Sequence, residues 1–295
     1  MAYATGIPSA TGTSRLWSAT SKTVLSGVFG TALEFYDFLI YGLAAGTVFK
    51  DVFFGGASPA LALLASMATF AVGYFARPVG ALIFGAIGDR VGRKAILVWT
   101  ITIMGRASSL IGLLPTYASV GLAAPAALVF LRIVQGAGAG VEMASSSVLL
   151  GETASSANRG LISALVGIGT NGGTLIAALV WLPVSILPRE DFLNWGWRIP
   201  FLVSFLIALA GLWMRRNVSE SKTWLENAGQ QRKLTIGANY AHLLAHSKRA
   251  IIGCIATRWG ENGISTIFLV FFIGQLRNIA PNNPGLGAFT VSVTA

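Results

Sequence analysis

Apolar residues in this chain come in long unbroken runs, each closed by a short polar or charged interval. A helix needs about 20 mainly apolar residues to cross a hydrocarbon layer roughly 30 Å thick. Seven runs meet or approach that length: Val24 to Phe49, Leu61 to Ile87, Ala95 to Leu114, Ala123 to Leu150, Leu161 to Leu187, Ile199 to Met214 and Ile251 to Gln275. Their continuity selects helices over the alternating strands of a membrane barrel. The sixth run is short, and Trp195 and Trp197 just before it suit an aromatic belt that would lengthen it. The pattern therefore predicts an all-α, polytopic transmembrane helix bundle. It divides the chain into a polar tail (1–23), a six-helix transmembrane unit (24–214), a basic linker (215–249), one further helix (250–275) and a tail (276–295).

Composition supports this reading. Of 295 residues, 54% are hydrophobic and 11% are charged, against about 25% charged in a soluble domain. That is too little charge to cover a soluble surface. The single cysteine, Cys254, excludes a disulfide-built fold. A net charge of +10 raises the possibility of nucleic acid, but the cations fall between the apolar runs and are not interleaved with aromatics, so no nucleic-acid partner is expected. Their distribution instead sets orientation. Thirteen Lys and Arg lie in the intervals on the side of the N-terminus and three (Lys50, Arg189 and Arg198) on the other, which predicts a cytoplasmic N-terminus in a cell membrane. No cleaved signal is expected, because the first apolar run is too long for a signal-peptide core. The linker reads as a solvated basic loop.

A charge at the centre of a span costs at least about 2.5–3.5 kcal/mol on insertion scales, so each one needs a reason. Glu34 and Asp37 in the first span share a helix face with Tyr41. Two adjacent carboxylates in a low dielectric do not both ionise easily, which makes this pair the candidate proton site; the other reading makes one of them the ion-pair partner of Arg77 or Arg132. Arg132, one turn before Gln135, is a fork-shaped donor suited to a substrate carboxylate, or else it pairs with Glu142. Arg77, before Pro78, reads as structural or gating. In the seventh run Arg258 and Glu261 either neutralise one another or join Asn262 in a polar cavity cluster. Arg106 in the third span has no acidic residue in the same span; it faces the bundle interior, pairs with Glu142, or is a destabilising substitution. His242 and His246 stand four apart without a third ligand, so no metal is expected, and nothing calls for a cofactor. Gly136, Gly138 and Gly140 in the fourth span, with Gly167, Gly169, Gly172 and Gly173 in the fifth, read as close-packing positions.

Between the second and third spans the chain reads Gly85-Ala86-Ile87-Gly88-Asp89-Arg90-Val91-Gly92-Arg93-Lys94. This tight cationic turn resembles the G-x-x-x-D-R-x-G-R-[RK] signature of the major facilitator superfamily. Four further stretches resemble its metabolite:proton symporter branch, whose members move shikimate, 2-oxoglutarate, citrate, proline or betaine. They are Gly30 to Gly42, Arg77-Pro78-Val79-Gly80, Leu131 to Gly136 with Glu142, and Trp195 to Phe201. The likeness covers about Ser21 to Phe272. It implies the N-terminal six-helix half of the major facilitator fold plus a seventh helix. It also implies a membrane transporter, not an enzyme, that takes up a small metabolite with a proton by alternating access. In that scheme Glu34 and Asp37 couple the proton, while Arg132, Gln135, Tyr41 and Arg258 contact substrate. Gly85, Gly88, Asp89, Arg90, Gly92, Arg93, Lys94 and Arg77 form a gating clasp. After Phe272 the likeness fades, so the chain reads as a truncated product. A solitary half is then expected to expose Glu34, Asp37, Arg132, Arg258 and Glu261 to lipid, to leave the clasp without a packing partner, and to self-associate instead of transporting.

Overall fold

The computed structural model describes residues 10–153, 159–216, 218, 220, 224–226, 237, 241 and 244–257, with side chains from residue 21 onward except at 153, 159, 162 and 163. The chain divides into two compact units, Met1–Gln231 and Arg232–Ala295. In the second unit the described residues 248–257 are helical, which opens the seventh run; Cys254 and His246 are exposed. Arg258, Glu261, Asn262 and His242 lie outside the described residues.

Among the described residues, the first unit holds six helices long and apolar enough to cross a membrane. We label the long helices α1 (Ala10–Thr47), α2 (Pro59–Val91), α3 (Arg93–Leu113), α4 (Ala123–Thr153), α5 (Val166–Ser185) and α6 (Arg198–Arg216). Their boundaries have local causes. Ser58 is extended and Pro59 opens α2, where its missing N–H costs nothing. Leu114 is forced extended by the following Pro115, and α3 stops there. Between α2 and α3 the expected ten-residue turn shrinks to one residue: α2 runs through Asp89 and Arg90 to Val91, and Gly92, at φ 115°, makes the whole reversal. That backbone region is open to glycine and strained for any other residue.

Two boundaries depart from the sequence reading. Helix α1 begins at Ala10, inside the expected polar tail, since no proline interrupts the stretch from Ala10 to Thr47. The sixth span is not short. A turn at Arg189–Asp191 and a π-turn at Phe192–Gly196 feed into α6, so that Arg189–Arg216 forms one 28-residue segment.

Helix α1 packs against α2, α4, α5 and α6, while α2 pairs with α4 and α3 with both α4 and α6. Close approach depends on glycine at the α2–α4 crossing. A Cβ at Gly140 would fall on the Arg77 carbonyl, and one at Gly80 on the backbone of Ala137. Gly169 and Gly173 likewise meet the α1 backbone, whereas Gly167 and Gly172 face open space, so only part of the fifth-span glycine cluster serves packing. At the end carrying Thr47 and Leu113 the core is aromatic: Tyr36, Tyr41, Phe49, Phe53, Trp181, Phe192, Trp197 and Phe201. The outer faces carry Leu61, Leu64, Phe75, Leu82, Trp99, Leu113, Leu179 and Trp213, as lipid contact requires.

Candidate functional site

Glu34, Asp37 and Arg132, expected to face lipid in a solitary half, are 4%, 3% and 1% exposed. The correction has a plain physical cause: each finds its polar partners on neighbouring helices of the same unit. Nor do Glu34 and Asp37 act as a facing pair, because their carboxylates turn to different partners. Glu34 takes Arg77 of α2 at 2.9 Å. Asp37 accepts hydrogen bonds of 2.5 Å from Ser108 of α3 and Ser204 of α6.

From Asp37 a chain of hydrogen bonds leads to Arg132. Gln135 Nε2 donates to Ser108 Oγ at 2.6 Å, and Arg132 Nη1 donates to Gln135 Oε1 at 2.6 Å. The helical spacing of Arg132 and Gln135, one turn apart on α4, sets the last link. Around the guanidinium lie the rings of Tyr41, Phe70 and Phe38, with centroids at 4.0, 5.2 and 4.8 Å. Desolvated cation–π contacts of this kind are worth about 2 kcal/mol or more and offset part of the burial cost. Tyr41 is held by its hydroxyl, which donates to Thr69 Oγ1 at 2.6 Å. Arg132 Nε and Nη2 are buried and have no hydrogen-bond partner among the described residues. That edge lies over Gly73, where a Cβ would collide with it. Arg77, in turn, stacks over Phe38 at 4.2 Å and Tyr74 at 5.5 Å. Of the residues marked in advance, Glu34, Asp37, Tyr41, Arg77, Arg132 and Gln135 thus converge on one region. Ser108, Ser204, Thr69 and the rings of Phe38 and Phe70 complete it without having been marked.

Glu142 belongs to a second buried set. Its carboxylate pairs with Arg215, not with Arg132 or Arg106, and Thr100 Oγ1 donates to it at 3.0 Å. Arg215, counted by sequence among the linker cations, closes α6 from inside the bundle and also donates to the Leu97 carbonyl. Gly30 makes the space, since a Cβ there would strike both Glu142 Oε1 and Arg215 Nη2. Arg106 is exposed on the outer face of α3 and has no acidic partner among the described residues. The expectation of an interior position fails because that helix face turns away from α4.

The clasp has partners within this unit, which corrects the expectation that it would have none. Glu220 accepts the backbone N–H groups of Arg93 at 3.0 Å and Lys94 at 3.1 Å, so a carboxylate from beyond α6 caps the positive end of α3. Trp224 Nε1 donates to the Asp89 carbonyl at 2.9 Å, Lys94 Nζ to the Arg216 carbonyl at 2.9 Å, and Arg93 pairs with Asp89 at 3.1 Å. Sequence reasoning missed Glu220 and Trp224 because they stand in the polar interval read as a solvated loop. At the opposite end Arg198 Nη1 donates to the carbonyls of Gly112 and Leu114, closing the end of α3 there. Among the described residues no group of three or more His, Cys, Asp or Glu could hold a metal ion.

Residues 23–239 match the family described as Sugar (and other) transporter. The shikimate transporter of Escherichia coli is 42% identical over 270 residues, covering 91% of this chain and 61% of its own length. The proline/betaine transporter of Salmonella typhimurium is 34% identical over 242 residues, covering 79% and 48%. Among solved structures, an inward-open conformation of the xylose transporter XylE from E. coli aligns with a TM-score of 0.62 at 23% identity, over 78% of this chain and 56% of that one; the likeness concerns the fold alone. The chain thus spans between about half and three-fifths of the proteins it matches.

Proposed function

Because the chain belongs to the sugar (and other) transporter family, a group of membrane carriers and not of enzymes, we propose that it serves secondary active transport. A small metabolite, a carboxylate or a zwitterion, enters with a proton by alternating access across the cell membrane, and the N-terminus and clasp lie on the cytoplasmic side. The observation that carries the reading is the hydrogen-bonded line from Asp37 through Ser108 and Gln135 to Arg132, whose buried Nε and Nη2 have no acceptor among the described residues. Asp37 is the proton site: a carboxylate in a span alternates charge as the carrier reorients, and two serine hydroxyls hold it in place. Arg132 offers a substrate carboxylate two N–H groups on one edge, a bidentate geometry, while Tyr41 and Phe70 form an aromatic wall. Glu34 leaves the proton pair and becomes the counter-ion of Arg77.

Carriers of this architecture place substrate between two six-helix repeats, and the six helices described here supply one of them. The Gly85 to Lys94 clasp, tied by Glu220 and Trp224, holds the repeat at its cytoplasmic end and releases as the cavity changes sides. The test is uptake by liposomes that contain the purified chain under an imposed pH gradient, screened with labelled shikimate, proline and betaine, the compounds in the relatives' names. Saturable uptake that collapses with a protonophore and is lost in Arg132→Leu supports the assignment. Gradient-dependent uptake unchanged in Arg132→Leu removes Arg132 from the substrate site. No uptake by this chain, with uptake by a carrier that joins it to the relatives' second repeat, confines the activity to the two-repeat assembly.

A further inference from the structure

Arg106 is a charge within a span that the proposed transport does not use. It lies thirteen residues after Arg93 and seven before Leu113 in α3, so at about 1.5 Å per residue it is about 20 Å from the clasp end and about 10 Å from the other. The surrounding surface is apolar, with Trp99, Leu110 and Leu113 exposed on α3 and Phe205, Leu209 and Trp213 exposed on α6. Arg106 borders a groove between these helices, with about 140 Å³ of water-sized space, whose other walls are Thr102, Gly105, Phe205, Ala208, Leu209 and Leu212. The helices touch beside it, where a Cβ at Gly105 would overlap that of Ala208. A guanidinium on a lipid-facing surface keeps its charge at any physiological pH and costs a few kcal/mol unless a counter-ion meets it, and among the described residues none does.

We propose that this groove binds an anionic membrane lipid from the leaflet on the Leu113 side. The lipid phosphate pairs with the Arg106 guanidinium, and an acyl chain lies along Phe205, Leu209 and Leu212. Three features of the site fit that occupant. The Arg106 backbone lies about 10 Å from the Leu113 end of α3, a distance that a long cationic side chain and a lipid phosphate bridge together. The guanidinium fork matches two phosphate oxygens. The remaining walls offer hydrocarbon contact, and the only side-chain hydroxyl among them, that of Thr102, is already donated to the Val98 carbonyl.

Native mass spectrometry of the full chain, delipidated in mild detergent and titrated with phosphatidylglycerol or phosphatidylcholine, tests the site. The expected result is a preference of about tenfold for phosphatidylglycerol, the effect of one charge-assisted contact. Arg106→Leu abolishes the preference; leucine there lowers the insertion cost, so this variant folds. Leu209→Trp fills the groove with the charge intact and weakens phosphatidylglycerol retention as well, which separates a built site from diffuse attraction. Inorganic phosphate alone does not compete. Equal retention of the two lipids by the unaltered chain overturns the proposal, as does an unchanged preference in Arg106→Leu. Displacement by inorganic phosphate alone, or a lipid-free dimer that Arg106→Leu dissociates, overturns it in favour of a free anion or a second copy of the chain.

Discussion

Replacing Arg215 with Leu removes the Glu142 counter-ion at a place where neither side chain reaches solvent. What remains for the carboxylate is the Thr100 hydroxyl at 3.0 Å and the Ser146 hydroxyl at 3.4 Å, too little to replace a guanidinium. Breaking a buried pair from one side typically costs about 3–5 kcal/mol, and Glu142→Leu, which strands Arg215, costs a similar amount. The double variant behaves differently. With both charges gone no charge is stranded: Thr100 also donates to the Leu97 carbonyl at 3.2 Å, only the long Ser146 contact is lost, and apolar replacements of like volume are often neutral. Independent sites would sum to about 6–10 kcal/mol; the expected loss in the double variant is about 0–2 kcal/mol, a coupling of several kcal/mol. Sodium dodecyl sulfate titration in detergent micelles, followed by tryptophan fluorescence and by far-UV circular dichroism, measures all four corners of the cycle. A double variant that loses the sum of the singles refutes the argument, for then Glu142 and Arg215 contribute through other contacts.

Three further outcomes follow from the geometry. Asp37→Asn keeps the shape of the site but fixes its charge, so proton-driven accumulation is lost while exchange down a substrate gradient persists; a comparison of uptake with counterflow in vesicles reads the difference. Gly73→Ala sets a methyl group against Arg132 Nε and Nη2, and since the guanidinium end is flexible the unit still folds. Apparent substrate affinity falls about tenfold or more, as measured by concentration-dependent uptake, through loss of a charge-assisted contact. Glu220→Gln weakens the cap on α3 by about 0.3–1 kcal/mol, and hydrogen exchange at the amides of Arg93 and Lys94 quickens by up to about fivefold.

The spans were legible because bilayer thickness imposes a minimum length on every apolar run, and the costly residues were legible because charge within a run stands out. Pairings were not. Glu142 and Arg215 are 73 positions apart, and Glu220 caps a helix that begins 127 positions earlier; helix packing sets such contacts, and no local spacing encodes them. Arg215 was misassigned because it stands beside Arg216 at the end of an apolar run, where one cation reaches the surface and the other turns inward. Ser108 and Ser204 gave no signal, since a serine in a span is as often a packing residue as a donor. Helix ends were misread where a single glycine suffices for a turn, as at Gly92, and where the helix extends into a polar stretch, as at Ala10.

That Glu34, Asp37, Arg132, Glu142 and Arg215 all find partners inside one six-helix unit bears on how such a protein is made. Polypeptide emerges at about 5–20 residues per second, so the sixth helix enters the membrane many seconds after the first. Until then Asp37 lacks Ser204, and Glu142 lacks Arg215. The insertion of α6 therefore ends the interval in which these carboxylates depend on the insertion machinery or on water. Nothing made afterwards is needed to neutralise them; Glu220 and Trp224, which follow α6, add the ties of the clasp.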